Sequence, residues 1–111
     1  MQFSLVVPLL NEAESLVELQ QWIDQSLKGK SYEIFFVDDG STDSSWEVIS
    51  QLAAKYSHIK GIRFQRNYGK SQALHAAFAR VQGDYVVTLD ADLQDSPEEI
   101  PALHKAITTK G

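Results

Sequence analysis

Apolar residues fall into two alternating rhythms along the chain. Short runs at 3–10, 32–37, 59–64 and 85–89 are dense in β-branched and aromatic side chains, as strands are. Between them the spacing lengthens to that of a helix face. Leu16, Leu19, Ile23 and Leu27 form one stripe, and Ile49, Leu52, Ala53 and Tyr56 a second. Leu74, Ala77, Phe78 and Val81 form a third, and Ile100, Leu103 and Ile107 a fourth. End signals agree. Asn11 with Glu14 three residues on reads as a capping box. Ser96-Pro97-Glu98-Glu99 offers a serine cap, a proline at the first helical position and a glutamate at the third. Gly29 and Gly83 stand where the first and third helices are expected to end. The order is therefore βαβαβαβα. Strands that are apolar almost throughout favour a parallel sheet covered on both faces. Right-handed crossovers then predict a Rossmann-like, three-layer α/β/α architecture with a mostly parallel sheet in the order 3-2-1-4.

Composition narrows the class without choosing a function. The chain has 111 residues, enough for one domain and one core. Apolar residues make up 43% and charged residues 23%, so a disordered tail is excluded. With no cysteine, disulfide scaffolds, thiol nucleophiles and zinc knuckles are excluded as well. No apolar run approaches the roughly 20 residues of a membrane span, and no signal peptide shows, so a cytoplasmic location is the expectation. Ten basic against fifteen acidic residues give a net charge of −5, which argues against nucleic acid as a partner.

The polar residues are not spread evenly. Parallel α/β sheets bind ligands outside the carboxyl ends of their strands, above all where the winding reverses. After the four predicted strands come Pro8-Leu9-Leu10-Asn11-Glu12, Asp38-Asp39-Gly40-Ser41-Thr42-Asp43, Arg66-Asn67-Tyr68-Gly69-Lys70 and Asp90-Ala91-Asp92-Leu93-Gln94-Asp95. All four clusters converge on one rim. The other rim receives only small connecting turns.

Each cluster has a plain reading and a chemical one. Asp90 and Asp92, two apart at a strand end, can aim both carboxylates at one point once the strand gives way to a turn. Hard oxygen ligands with open positions suit Mg²⁺ or Mn²⁺, and Gln94 can add a carbonyl oxygen. The plain alternative is that the two aspartates stabilise a turn and a helix start. In the second cluster, Gly40 can take a positive φ and Ser41, Thr42 or Asp43 can cap the next helix. Those roles leave one of Asp38 and Asp39 spare, and a spare carboxylate there accepts a nucleobase N–H or ribose hydroxyls. Arg66 and Lys70 bring cations to an acidic rim. They serve either a solvated turn with Asn67 or Gly69 in a left-handed conformation, or a phosphate beside a helix N-terminus. An acidic cleft repels a diphosphate unless a divalent cation lies between them, so acids and cations form a single hypothesis. His58, His75 and His104 read as surface or helix-face residues, with no His–carboxylate cluster in the spacing. Trp22 and Trp46 read as packing residues.

These four clusters, with Val6-Val7 before the first, resemble in order and spacing the family 2 glycosyltransferases of GT-A fold. Within that family they look most like the polyprenyl-phosphate sugar transferases. The resemblance covers the whole chain. It implies inverting transfer of a sugar from a nucleoside diphosphate sugar, UDP- more than GDP-linked, with Mg²⁺ or Mn²⁺. The acceptor it implies is a polyprenyl phosphate. Carried over by position, Pro8 and Glu12 line the nucleoside pocket, Asp39 contacts base or ribose, and Asp38 supports it. Lys70 and Arg66 contact the nucleotide, while Asp90 and Asp92 lie at metal and diphosphate with Gln94 as a further ligand.

In such enzymes the acceptor side and catalytic base follow the metal motif, and here only residues 96–111 do so. The expectation is that the chain is the nucleotide-sugar-binding half of a GT-A domain, with the base beyond residue 111. A sheet edge left open by that division predicts self-association. The parent protein is expected at the cytoplasmic face of a membrane. A non-catalytic module that binds nucleotide sugars is the alternative. A signalling receiver is disfavoured because strand one ends Leu10-Asn11-Glu12 and strand three ends Gln65-Arg66. No GxGxxG follows strand one, which removes a dinucleotide-dependent oxidoreductase.

Overall fold

The computed structural model describes residues 1–89 and Ala91. Four strands run β1 (Phe3–Leu9), β2 (Tyr32–Asp38), β3 (Ile59–Arg63) and β4 (Tyr85–Thr88). They alternate with α1 (Ala13–Ser26), α2 (Ser45–Lys55) and α3 (Lys70–Phe78). All pairings are parallel, in the order β3-β2-β1-β4. That is the predicted order, with the winding reversing between β1 and β4. The fourth predicted helix and its Ser96 cap lie outside the described residues.

Alternation along the strands divides the core in two. Phe3, Leu5, Val7, Leu9, Ile34 and Phe36 face α1 and α2, which contribute Leu16, Leu19, Ile23, Ile49 and Leu52. Val6, Phe35 and Val37 face α3 through Ala73 and Ala77. β1 and β2 are therefore buried on both faces, which explains why their sequences are apolar without alternation. Pro8 is tolerated in a central strand because the β1–β4 register ends at Val6 and Thr88. Beyond that point its missing N–H forfeits no bond to β4.

Three local expectations are corrected. The third stripe is rotated: Ala73 and Ala77 are buried while Phe78 is 46% exposed. α3 rests on the sheet through its alanines, whose small size lets the helix approach closely. Gly83 does not end that helix, which stops at Phe78. It lets the α3–β4 connection pass against β1, where a Cβ would stand 2.5 Å from Phe3 C and Ser4 N. The Asn11–Glu14 capping box does not form. Glu12 occupies the N-cap position of α1 without a side-chain cap bond, and Asn11 is turned elsewhere.

The lower rim holds two polar ties. Glu33, fully buried on β2, accepts from Ser4 Oγ at 2.5 Å and from the Gln82 N–H at 2.7 Å, and Lys60 Nζ lies 3.4 Å away. Asp24 of α1 accepts from Tyr32 O–H at 2.5 Å and pairs with His58 Nε2 at 2.8 Å, and Gln20 Nε2 also donates to it. Burial, then the hydrogen bond and charge of Asp24, push the Tyr32 phenol well above its ordinary value. His58 thus belongs to a His–carboxylate cluster that linear spacing does not reveal. Asp24 and His58 are 34 positions apart and meet only when β2 and β3 align.

Candidate functional site

The upper rim is built by loops that hold one another. Asp38 ends β2 fully buried. Its Oδ1 accepts the Ser41 N–H at 2.8 Å, closing the turn at Gly40, while Oδ2 is buried with no partner. Gly40 takes φ +85°, the left-handed conformation expected of it. A Cβ there would lie 2.5 Å from Arg66 C and 2.6 Å from Asn67 N. The absence of a side chain is what lets the β3–α3 loop lie against the β2–α2 loop.

Asp39 then holds that loop in place. Its Oδ1 accepts the Tyr68 N–H at 2.8 Å and its Oδ2 the Gly69 N–H at 3.0 Å. Each carboxylate oxygen keeps a second lone pair, and Asp39 lines an open cleft together with Pro8, Leu9, Leu10 and Lys70. The cleft encloses about 170 Å³, between the carboxyl ends of β1 and β2 and the first residue of α3. Gly69, at φ +99°, starts the helix without a side-chain cap. Arg66 stacks its guanidinium over the Tyr68 ring at 4.9 Å, and Phe64 meets the same ring edge-on at 5.5 Å.

The starts of α1 and α2 are capped in trans. Ser41 Oγ accepts the Asn11 N–H at 2.8 Å, Ser45 Oγ the Glu12 N–H at 3.0 Å, and Asp43 Oδ2 the Ala13 N–H at 3.3 Å. In return, Asn11 Oδ1 accepts the Thr42 N–H at 2.8 Å and the Asp43 N–H at 3.2 Å. The N-cap of α2 is Ser44, without a side-chain cap bond, and not Ser41, Thr42 or Asp43 as expected; Asp43, one residue earlier, accepts the Ser45 N–H through Oδ1 at 2.8 Å. The Ser45 hydroxyl first, then its amide and that of Ala13, outweigh slight burial and hold the Asp43 carboxyl below its ordinary value.

Of the site residues predicted from sequence, the fold brings Pro8, Asp39 and Lys70 into one cleft. Asp38 is a buried turn anchor, Glu12 is half-buried at the start of α1, and Arg66 lies over Tyr68; none of these three is among the cleft-lining residues. Asp90, Asp92 and Gln94, the predicted metal ligands, lie outside the described residues. The chain reaches this rim at Leu89, whose N–H donates to Val6 O at 3.0 Å. Among the described residues no group of three or more His, Asp or Glu side chains could hold a metal ion. Leu9 and Leu10 were not predicted as lining. An apolar residue 41% exposed just past a strand end, as Leu10 is, is recognisable only once the fold is known.

A family model described as glycosyl transferase family 2 matches residues 4–111. The chain belongs to that family. It is 50% identical over 103 residues to an undecaprenyl-phosphate 4-deoxy-4-formamido-L-arabinose transferase of Enterobacter sp. (strain 638), covering 90% of this chain and 32% of that protein. The same-named protein of Klebsiella pneumoniae (strain 342) is 46% identical over the same coverage. This family 2 chain thus spans about a third of the length of the curated relatives it matches.

Solved structures agree on the GT-A fold. The mannosyltransferase PcManGT from Pyrobaculum calidifontis, in complex with GDP-Man and Mn²⁺, superposes with a TM-score of 0.78 at 25% identity, over 91% of this chain and 30% of that one. Glucosyl-3-phosphoglycerate synthase from Mycobacterium tuberculosis, in complex with Mn²⁺, UDP and phosphoglyceric acid, gives 0.74 at 25% identity, over 99% and 40%.

Proposed function

We propose that this chain carries the donor-binding part of a glycosyltransferase that moves a sugar, with inversion, from a nucleoside diphosphate sugar to a polyprenyl phosphate. The observation that carries the donor assignment is the placement of Asp39 and Lys70 on one cleft at the carboxyl ends of β1 and β2, the rim where parallel sheets bind ligands. Asp39 has lone pairs left for a base N–H or ribose hydroxyl, Pro8 and Leu10 give that cleft apolar wall, and Lys70 supplies positive charge for phosphate. The lipid-phosphate acceptor is supported by the names of the relatives, and it puts the reaction at a membrane face, the cytoplasmic one in this proposal. No helix among the described residues is long and apolar enough to cross a membrane.

A divalent cation, Mn²⁺ or Mg²⁺, belongs to this reading. Mn²⁺ is supported by the complexes named above, and Asp90, Asp92 and Gln94 are the residues proposed to hold it. Their oxygen donors fit a hard cation, and β4 delivers the chain beside β1 at Leu89, next to the strand whose end walls the cleft. When bound, the cation supplies positive charge to the departing nucleoside diphosphate. Calorimetric titration with UDP, GDP and their sugars, with and without Mn²⁺, tests the assignment. Binding is expected to need Mn²⁺, to favour the uridine series and to weaken in Asp92→Ala. Equal binding by that variant, or no nucleotide binding in metal, would overturn it.

A further inference from the structure

We propose that Asn11 is a positioning residue for donor binding: it ties the two loops that wall the cleft without touching the cleft itself. The proposal rests on the donor-binding reading above. Asn11 has φ +56°, the one positive φ outside glycine among the described residues. Asparagine tolerates that conformation better than most residues, though glycine would adopt it more freely. Glycine would lose the side-chain oxygen, and that oxygen is heavily used. Oδ1 receives the Thr42 and Asp43 N–H groups, with Thr42 Oγ1 at 3.4 Å as a third donor. The Asn11 N–H meanwhile donates to Ser41 Oγ.

Position gives this tie its meaning. Pro8, Leu9 and Leu10, immediately before Asn11, form one wall of the cleft, and Asp39, two residues before Ser41, contributes to the other. The Asn11 bonds are exposed. Water replaces exposed hydrogen bonds at little net cost to stability, so what this network adds is geometry. It fixes the distance and angle between the apolar wall and the Asp39 carboxylate. A ligand that must touch both at once meets them already arranged, and less ordering remains for it to impose.

The test uses the whole chain, with UDP and GDP in Mn²⁺ as probes and three substitutions. Asn11→Gly keeps the backbone conformation and removes the acceptor. Its melting temperature is expected to stay near that of the parent while nucleotide affinity drops about tenfold, the equivalent of one good hydrogen bond. Amide exchange should rise at Thr42 and Asp43. Asn11→Asp retains an acceptor oxygen and should restore affinity. Should Asn11→Gly not fold, Ser41→Ala decides the matter: weaker binding at an unchanged melting temperature supports the positioning role, and unchanged binding overturns it. An Asn11→Gly protein that binds like the parent, or an Asn11→Asp protein as weak as Asn11→Gly, also overturns it. If the parent binds neither nucleotide, the donor reading falls and this proposal with it. Binding by the parent that none of the variants changes removes the positioning role alone.

Discussion

Gly40 joins two constraints that glycine alone can meet at once. Its φ of +85° lies where any Cβ is strained, and that Cβ would also meet the backbone of Arg66 and Asn67 inside 3 Å. Gly29 supplies a control, since its φ is +84° with nothing within 4 Å of a Cβ. Gly29→Ala is expected to cost only the conformational penalty, about 1–2 kcal/mol. Gly40→Ala should cost more, because the β3–α3 loop must also move and the Asp39 bonds to Tyr68 and Gly69 stretch with it. Chemical denaturation of the two variants measures the difference, and faster amide exchange at Tyr68 and Gly69 in Gly40→Ala alone would trace it to the loop. Equal losses in both would mean that the close approach carries no energy.

At the scale of elements, the chain is held by polar ties between connections as well as by its two apolar layers. Glu33 fastens the α3–β4 connection to the sheet through the Gln82 N–H and Ser4. Burial alone would raise its carboxyl, but the Ser4 hydroxyl, the Gln82 amide and the Lys60 ammonium outweigh that and hold it below its ordinary value. A carboxyl depressed in the folded state stabilises above its unfolded pKa, and the contribution disappears as pH falls through the folded one. Glu33→Gln is therefore expected to lose about 1.5–3 kcal/mol near neutral pH. Its melting temperature should also fall less between pH 5 and lower values than that of the parent. Parallel melting curves across the acid range check the sign; a variant that converges with the parent only at high pH would reverse it. None of this was visible in Tyr32-Glu33-Ile34, where a lone glutamate in an apolar run looks like an interruption. The strands, their order and the polar rim were legible because each follows from apolar periodicity and from the handedness of crossovers. Helix starts were not. Asn11 and Glu14 have the spacing of a capping box, but a capping box is local, and the Thr42 and Asp43 amides 31 and 32 positions away claim the Asn11 oxygen instead. The α3 stripe failed for a related reason. Phe78 is apolar at helical spacing, yet a helix seated on Ala73 and Ala77 turns it to solvent. Pro8, Asp39 and Lys70 could be placed because strand ends fix them. Composition and spacing do not separate Asp38 from Asp39, and only the resemblance gave Asp39 the ligand contact; in the fold Asp38 closes the Gly40 turn while Asp39 lines the cleft.

For the molecule as a whole, the sheet has two edges. β3 pairs with β2 on one side, and that ladder runs on to Phe64, whose N–H donates to Asp38 O at 2.8 Å. β4 pairs with β1 on one side and, among the described residues, with nothing on the other. Its ladder shows which groups are involved. Tyr85 donates to Gln2 O, just before β1, and Leu89 to Val6 O of β1, so the alternation of a parallel strand turns the N–H groups of Val86 and Thr88 outward. An edge of that kind is a template for another strand. The chain in isolation is expected to self-associate with rising concentration, and sedimentation velocity over a dilution series reads this directly. Thr88→Pro removes one outward donor and leaves the bonds to β1 untouched. Its side chain is exposed, so little packing is lost and the substitution acts on pairing alone. The variant should remain monomeric where the parent associates, with the α/β circular dichroism of the parent. A parent that stays monomeric throughout would show that the β4 edge is already protected, and association that Thr88→Pro leaves unchanged would move the contact elsewhere. The apolar surface of α3 at Phe78 is then the first place to look.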